Sequence, residues 1–555
     1  MNIVDTTMAD SNGAKLYADN CADCHHTKRV GLTAPPLIPG LYSRKNAKRL
    51  ASVISEGLPA TRMRAFKNKL TDAQINEIVA YIKTPVDRPE WSFDDILKSR
   101  SLPDNQSPKK NSADLTNITL VMERGTKSLI VLDGETLSEL AKFYVGNVHG
   151  GPKFSYDLKK IYSVSRDGIV TRFDVQGLTT ELRFKAGIYT RSIAVAPDNE
   201  IIAVANQLPR NIVFFDGSMK PIHEIATPDK IGGFYSLPQL DAFICSFREK
   251  PEFWLIDAKP PFNVTKEKIP APFEDFSISP VGSALIGTKR GSDSLYVYDY
   301  KKKKVLAQIH TEGLPHLASA AFWYRNGELM VAVNHIKKPM ATIYSLDSLK
   351  MEAEIPLPGA GFFVRTHYAT PYLWVDTMTD ELILIDKNDF SRKKVIKNRE
   401  GRKTMHVEFT KEGKYALVTV PGKGGEVEVY DAGSLSMVKT IPYDNPVGKY
   451  NSTNKTFPAF SMGVERKTKV KSRGQEVFEN YCMGCHHQVY EAFGPSFKEI
   501  AEKRTPAEIR MHILNPKADA KKHGYKRSSM SHIKLSGEDM DNIVAYILTF
   551  RRGSN

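Results

Sequence analysis

The sequence predicts a multidomain chain in three parts: an all-α domain, an eight-bladed β-propeller and a second all-α domain. Three observations carry this. Two similar helix-forming segments stand at the ends, Gly13–Ile82 and Gly474–Ile547. Between them the texture changes to short apolar strands separated by turn residues. One strand pattern there recurs eight times at a nearly constant interval, as repeated blades require. The parts are drawn at 1–98, a linker at 99–112, a propeller at 113–454 and a C-terminal domain at 455–555.

At 555 residues, 41% of them hydrophobic, the chain has material for several cores. No apolar run approaches the roughly 18 residues of a membrane span. The net charge of +15 is spread among strands with no stacked basic and aromatic face, which argues against nucleic acid. Val464–Asn555 holds 17 Lys and Arg against 11 Asp and Glu, so part of the excess sits there. The charge reads either as steering toward anionic partners or as plain solubility.

The first end carries Cys21-Ala-Asp-Cys24-His25 and the last Cys482-Met-Gly-Cys485-His486, both Cys-x-x-Cys-His. Two thiols on one helical turn reach the two vinyl groups of a haem, and the next His lies under the iron. Zinc needs about four ligands, and no second pair follows either motif. A thioredoxin-like site wants a βαβ context that is missing. Cys245 stands alone in an apolar run, as a small buried hydrophobe. Gly13 and Gly474 each lie eight residues before the first Cys. Leu70–Ile82 and Leu535–Ile547 mirror each other, each a Ser- or Thr-initiated helix ending in Ile-Val-Ala-Tyr-Ile. Each end therefore resembles a class I cytochrome c, making both all-α cytochrome c domains. That resemblance implies two covalently bound haem c groups, His25 and His486 as proximal ligands, and Met63 and Met530 as second axial ligands. His532 and His512 are rivals to Met530.

In the middle, a hydrophobic strand ending in Asp recurs at Asp133, Asp174, Asp216, Asp257, Asp299, Asp347, Asp386 and Asp431. The intervals are 41, 42, 41, 42, 48, 39 and 45 residues, about four strands per blade. Some 16–20 residues past these Asp residues, where the next innermost strand begins, stand His149, Arg191, His316, His367 and His406. Four histidines and an arginine in register point to one shared site on the central axis. No Cys-x-x-Cys-His occurs here, so any cofactor is held without a covalent bond.

The propeller also resembles the haem d1 domain of cytochrome cd1 nitrite reductases. The resemblance rests on Val148-His149-Gly-Gly, Ser165-Arg-Asp-Gly168, Thr190-Arg-Ser-Ile193, Leu314-Pro-His316, Val364-Arg-Thr-His367, Tyr372-Leu-Trp-Val-Asp376, Glu408-Phe-Thr-Lys-Glu-Gly413 and Pro446-Val-Gly-Lys-Tyr450. It implies one non-covalent haem d1 with His149 as proximal ligand and His316 and His367 as distal catalytic residues. Arg191, and with a one-residue slip Arg402, match cofactor carboxylates. The resemblance assigns no role to His406.

The implied activity is reduction of nitrite to nitric oxide, which consumes one electron and two protons. It carries with it a small periplasmic electron donor (a cytochrome c or cupredoxin) and a homodimer. The second c domain departs from the family layout and reads as a tethered electron donor. Two alternatives remain open: a haem d1 maturation enzyme of the dihydro-haem d1 dehydrogenase kind, and a non-catalytic dihaem relay. Covalent haem attachment implies the periplasm. Met1–Tyr17 shows no export signal, so the numbered chain is expected to be a processed or recombinant form.

Overall fold

The computed structural model describes residues 11–31, 34–41, 46–58, 63–86, 90–102, 111–148, 151–397, 401–464, 474, 477–488, 491–522 and 529–551. The chain forms two compact units, Met1–Val464 and Glu465–Asn555.

The first unit opens with the helices Asn12–Asn20, Ala22–His25, Ala47–Glu56 and Asp72–Lys83. Their starts are written in the sequence. Ser11 and Asn46 cap two of them, and Thr71 with Gln74 forms a capping box. Gly13 lets the first helix cross the last, because a Cβ there would lie 2.5 Å from the Glu77 carbonyl oxygen. Tyr17, Leu50, Ile54, Ile75, Ile78, Val79 and Ile82 close this small core. The stretch read as domain end and linker packs on the propeller. Ile96 is buried among Tyr162, Val164 and Leu182, and Trp91 Nε1–H donates to the Lys185 carbonyl at 2.8 Å.

The propeller has eight four-stranded antiparallel sheets. The recurring Asp explains its own periodicity. In seven blades it ends the third strand, and in six of these its carboxylate accepts backbone N–H groups of the following turn. Asp386 Oδ1 takes Asn388 N–H at 2.8 Å, and Asp431 Oδ1 takes Ser434 N–H at 2.7 Å. In the eighth, the strand Met340–Ser345 stops two residues before Asp347. The ring is closed by Pro446–Asn451, which pairs with Ile118–Glu123 from the other end of the propeller (Leu120 opposite Tyr450).

The second unit repeats the first helical fold with Phe497–Lys503, Pro506–Leu514, Pro516–Lys522 and Gly537–Leu548. Its core gathers Phe478, Phe497, Ile509, Ile513, Ile543, Val544 and Ile547. Gly474 plays the part of Gly13: an added Cβ would collide with the Asn542 carbonyl. Among the described residues no helix is long and apolar enough to cross a membrane.

Candidate functional site

The two Cys-x-x-Cys-His motifs adopt the same local geometry. Cys21 caps the short helix Ala22–His25, and the His25 N–H returns to the Cys21 carbonyl at 2.9 Å. His486 N–H makes the same 2.9 Å bond to the Cys482 carbonyl. His25 Nδ1 then lies 2.7 Å from the Pro35 carbonyl, and His486 Nδ1 lies 2.7 Å from the Pro495 carbonyl. A carbonyl only accepts, so each Nδ1 carries the hydrogen and each Nε2 presents a lone pair, as an iron ligand must. Gly494 keeps room for this ring, since a Cβ there would meet His486 Cε1 at 2.6 Å. Burial pushes the Cys21 and Cys482 thiols up to about 11, against thiolate redox chemistry. These residues fit a covalent haem at both ends.

Met63 packs in the cluster that holds Cys21, and Met530 in the cluster that holds Cys482. Met530 also borders a cavity of about 640 Å3 together with His532. His512 is held by Asp519 at 2.7 Å, in an ion pair shared with Arg504. His532 is exposed, with Nδ1 2.7 Å from the Leu514 carbonyl.

In the propeller, charged side chains from several innermost strands converge. Arg191 comes from Tyr189–Val195, Asp275 from Asp275–Ile278, Arg365 from Val364–Arg365, His406 and Glu408 from Met405–Phe409, and Lys449 from the closing strand. Lys455 follows on the short helix Ser452–Thr456, and Lys153 opens another innermost strand. Arg191, Asp275, Arg365, Lys153 and Lys455 keep part of their surface accessible, yet burial dominates the titration of four of them, as an internal channel would produce. Burial presses Lys153 down to about 8 and holds Lys449 and Lys455 well below the usual amine range. It raises Asp275, Asp376 and Glu408. Basic side chains outnumber acids here, and burial favours the uncharged form of lysines and acids alike until a ligand supplies opposite charge. Such a site suits a ligand bearing several carboxylates.

Two histidines accompany these groups, one partly accessible and one fully buried. His316 Nδ1 lies 2.6 Å from the Phe362 carbonyl, so its Nε2 lone pair is open. His406 is fully buried, at φ 51°, on a β-bulge where the ladder skips from Met405 to Val407. A bulge re-aims a side chain out of the sheet's alternation. The His406 N–H donates to Asp376 Oδ2 at 2.9 Å. Its Nδ1 accepts the Lys449 N–H in a long bond of 3.4 Å, and its Nε2 has no hydrogen-bond partner among the described residues. The Phe363 ring stands edge-on to both, 5.6 Å from His316 and 4.4 Å from His406.

The other expected residues are placed differently. His149 lies outside the described residues. Arg191 is in the channel, with Nε and Nη2 on the Gly232 carbonyl at 3.1 and 2.8 Å. Arg402 sits on a loop, with Nη1 on the Gly424 carbonyl at 2.6 Å. His367, expected as a distal catalytic residue, is not brought to the site. Its Nε2 donates to the Lys411 carbonyl at 2.9 Å and its Nδ1 accepts the Ala369 N–H at 3.2 Å. The ring is packed among Tyr368, Phe409 and Phe460. Arg365, two residues earlier, is the residue on the innermost strand. Sequence reasoning passed over Arg365, Asp376, Glu408 and Lys449, although each stood inside a stretch quoted for the resemblance. Lys153 and Lys455 carried no such signal.

Comparison with known proteins agrees with this picture and corrects one expectation. The family described as cytochrome D1 heme domain matches residues 113–455. The cytochrome c family matches 472–551, and cytochrome C oxidase, cbb3-type, subunit III matches 9–82. The dihydro-heme d1 dehydrogenase of Pseudomonas aeruginosa is 34% identical over 467 residues, 80% of this chain and 94% of the relative. The nitrite reductase of Stutzerimonas stutzeri is 22% identical over 522 residues, 79% of this chain and 92% of the relative. Among solved structures, dihydro-heme d1 dehydrogenase NirN in complex with DHE matches with a TM-score of 0.75 and 33% identity, over 80% of this chain and all of that one. The nitrite reductase expectation is therefore overturned: the stronger likeness is to the dehydrogenase, and the second distal histidine that nitrite chemistry invoked is engaged elsewhere. The chain belongs to the cytochrome d1 haem-domain family, as a member with c-type cytochrome domains on both sides of the propeller.

Proposed function

We propose that this chain is an oxidoreductase of haem d1 maturation, which removes two hydrogens from a dihydro-haem d1. The observation that carries the reading is a pair of ring nitrogens at the site: His316 Nε2, open, and His406 Nε2, fully buried beside it with no hydrogen-bond partner among the described residues. The relatives of this kind named above supply the substrate class. In this reading the tetrapyrrole is the substrate, not a resident cofactor. His316 ligates its iron, with His149 as the opposite imidazole that the resemblance suggests. Arg191, Arg365 and Lys455 hold its carboxylates.

Dehydrogenation releases two protons and two electrons. His406 takes one proton on its imidazole, and the second passes to solvent. Burial and the charges of Lys449, Arg365 and Lys455 keep its imidazole neutral before substrate arrives. Substrate carboxylates set against those cations offset part of that effect and make the ring a better base. Two c-type haems, held by Cys21, Cys24 and His25 and by Cys482, Cys485 and His486, supply the one-electron acceptors. A small periplasmic electron carrier then receives electrons. Covalent haem attachment supports the periplasmic location.

The test is anaerobic incubation of the full chain with dihydro-haem d1, following the visible bands of the tetrapyrrole and of ferrous haem c. Conversion by the unaltered chain is expected. His406→Gln is expected to slow it by about 100-fold or more while substrate binding changes by less than about threefold. No conversion by the unaltered chain, or full activity of the variant, would overturn the reading.

A further inference from the structure

We infer that Asp376, which lies behind the site, positions both of its histidines. The inference rests on the function proposed above. Asp376 ends the strand Tyr372–Asp376 and is fully buried. Its two oxygens divide the work. Oδ1 accepts the N–H of Phe362 at 2.7 Å and of Phe363 at 3.0 Å, with Asn334 Nδ2 at 3.3 Å. Oδ2 accepts the His406 N–H at 2.9 Å.

Each bond leads to a site residue. The Phe362–Phe363 peptide, whose N–H is held by Oδ1, offers its carbonyl to His316 Nδ1 at 2.6 Å. That bond decides which His316 nitrogen faces the channel. The neighbouring Phe363 ring packs against both histidines. On the other side, His406 sits in the left-handed region at φ 51°, a conformation that non-glycine residues hold only where the surroundings impose it. The bulge withdraws its N–H from the ladder, and Asp376 Oδ2 takes that N–H. One carboxylate therefore ties a loop of its own blade to the bulge of the next. Gly361 leaves it space: a Cβ there would collide with Asp376 Oδ1.

A carboxylate that merely satisfied buried N–H groups would affect stability and nothing more. A double-mutant cycle separates the two. Asp376→Asn keeps the volume but replaces one acceptor by an NH2 group, which cannot serve both Phe362 and His406. It is expected to lower kcat by about 10- to 100-fold, the usual cost of removing an outer partner of a site residue, with KM within about threefold. His316 holds the iron and takes no proton, so the band shift reads its arm and the rate loss passes through His406; Asp376→Asn with His406→Gln is therefore expected to be no more than about twofold slower than His406→Gln alone. The visible bands of the bound tetrapyrrole, which report the iron ligand, are expected to shift in Asp376→Asn and not in His406→Gln.

A kcat within twofold of the unaltered chain, losses that multiply in the double variant, or unshifted bands would overturn the role. Should Asp376→Asn not accumulate as folded protein, Asp376→Glu takes its place in the same cycle, since it keeps the charge and moves the carboxylate by one methylene. Full activity of His406→Gln would instead sink the proposed function. An inactive His406→Gln with multiplying losses sinks only the part given to Asp376.

Discussion

At the scale of the residue, buried histidines here divide by what their ring nitrogens do. In His335, Nδ1 donates to the Glu312 carbonyl and Nε2 lies 2.8 Å from Thr342 Oγ1; His367 is engaged at both nitrogens as described. Burial lowers both rings from the ordinary 6.5 to about 4. A folded-state value below the unfolded one means that the unfolded chain binds more protons between them. The contribution is then complete above about pH 6.5 and lost as pH falls toward 4. Each ring is worth roughly 3 kcal/mol over that window at most. Urea unfolding of the unaltered chain at pH 7.5 and 4.5 should show a loss of this kind, and His367→Gln should reduce it by up to that amount. An unchanged pH dependence in His367→Gln would mean that His367 is not a buried neutral structural ring.

At the scale of the element, the repeat was legible and the site only partly so. Counting forward from the turn Asp located Arg191, His316 and His406, because a blade's strands have nearly fixed lengths. It failed at His367 for a definite reason. Arg365 stands 18 residues past Asp347, inside the same window, and the count took the histidine at 20 over the arginine on the innermost strand. His406 was found without a role, since its function depends on a bulge and an orphaned Nε2 that no local pattern announces. Asp376, Glu408 and Lys449 belong to different blades, and their meeting across the axis depends on closure of the ring. The helical ends were legible down to single glycines. Gly13→Ala would place a Cβ 2.5 Å from the Glu77 carbonyl oxygen and 3.2 Å from Tyr81 Cβ, and Gly474→Ala would collide with Asn542. Each is expected to destabilise its domain by about 1–3 kcal/mol. Gly537, with open space around its Cβ position in the first turn of Gly537–Leu548, is the control. Gly537→Ala should be neutral or stabilising by about 0.5 kcal/mol. Chemical denaturation followed by circular dichroism distinguishes these, and equal effects at all three positions would refute the close helix crossing.

At the scale of the whole molecule, the site and the closure of the ring are one event. Pro446–Asn451 is the innermost strand of the sheet begun by Ile118–Glu123, so the first and last parts of the propeller complete a single blade. The same strand sets Tyr450 against His406 and Lys455 and ties the buried Lys449 Nζ to the His406 carbonyl, and Lys455 follows within one turn. Asn451 then caps that turn and bonds back through Nδ2 to Asn117 Oδ1 at 3.1 Å, stitching the two ends together. Without this strand the edge of Ile118–Glu123 is left unpaired and strongly apolar, with Leu120 and Val121 fully buried in the closed ring. A chain ending at Val464 keeps the whole first unit and is expected to melt in one cooperative transition. It should bind dihydro-haem d1 with affinity within about threefold of the full chain and lose about half of the haem c absorbance. A chain ending at Asp444 lacks only twenty more residues, yet it is expected to aggregate or melt without cooperativity and to bind no tetrapyrrole. Calorimetry and a visible titration of the two truncations check this. Equal cooperativity and equal binding would show that the ring holds without its closing strand, and that the cationic channel is assembled by the remaining blades alone.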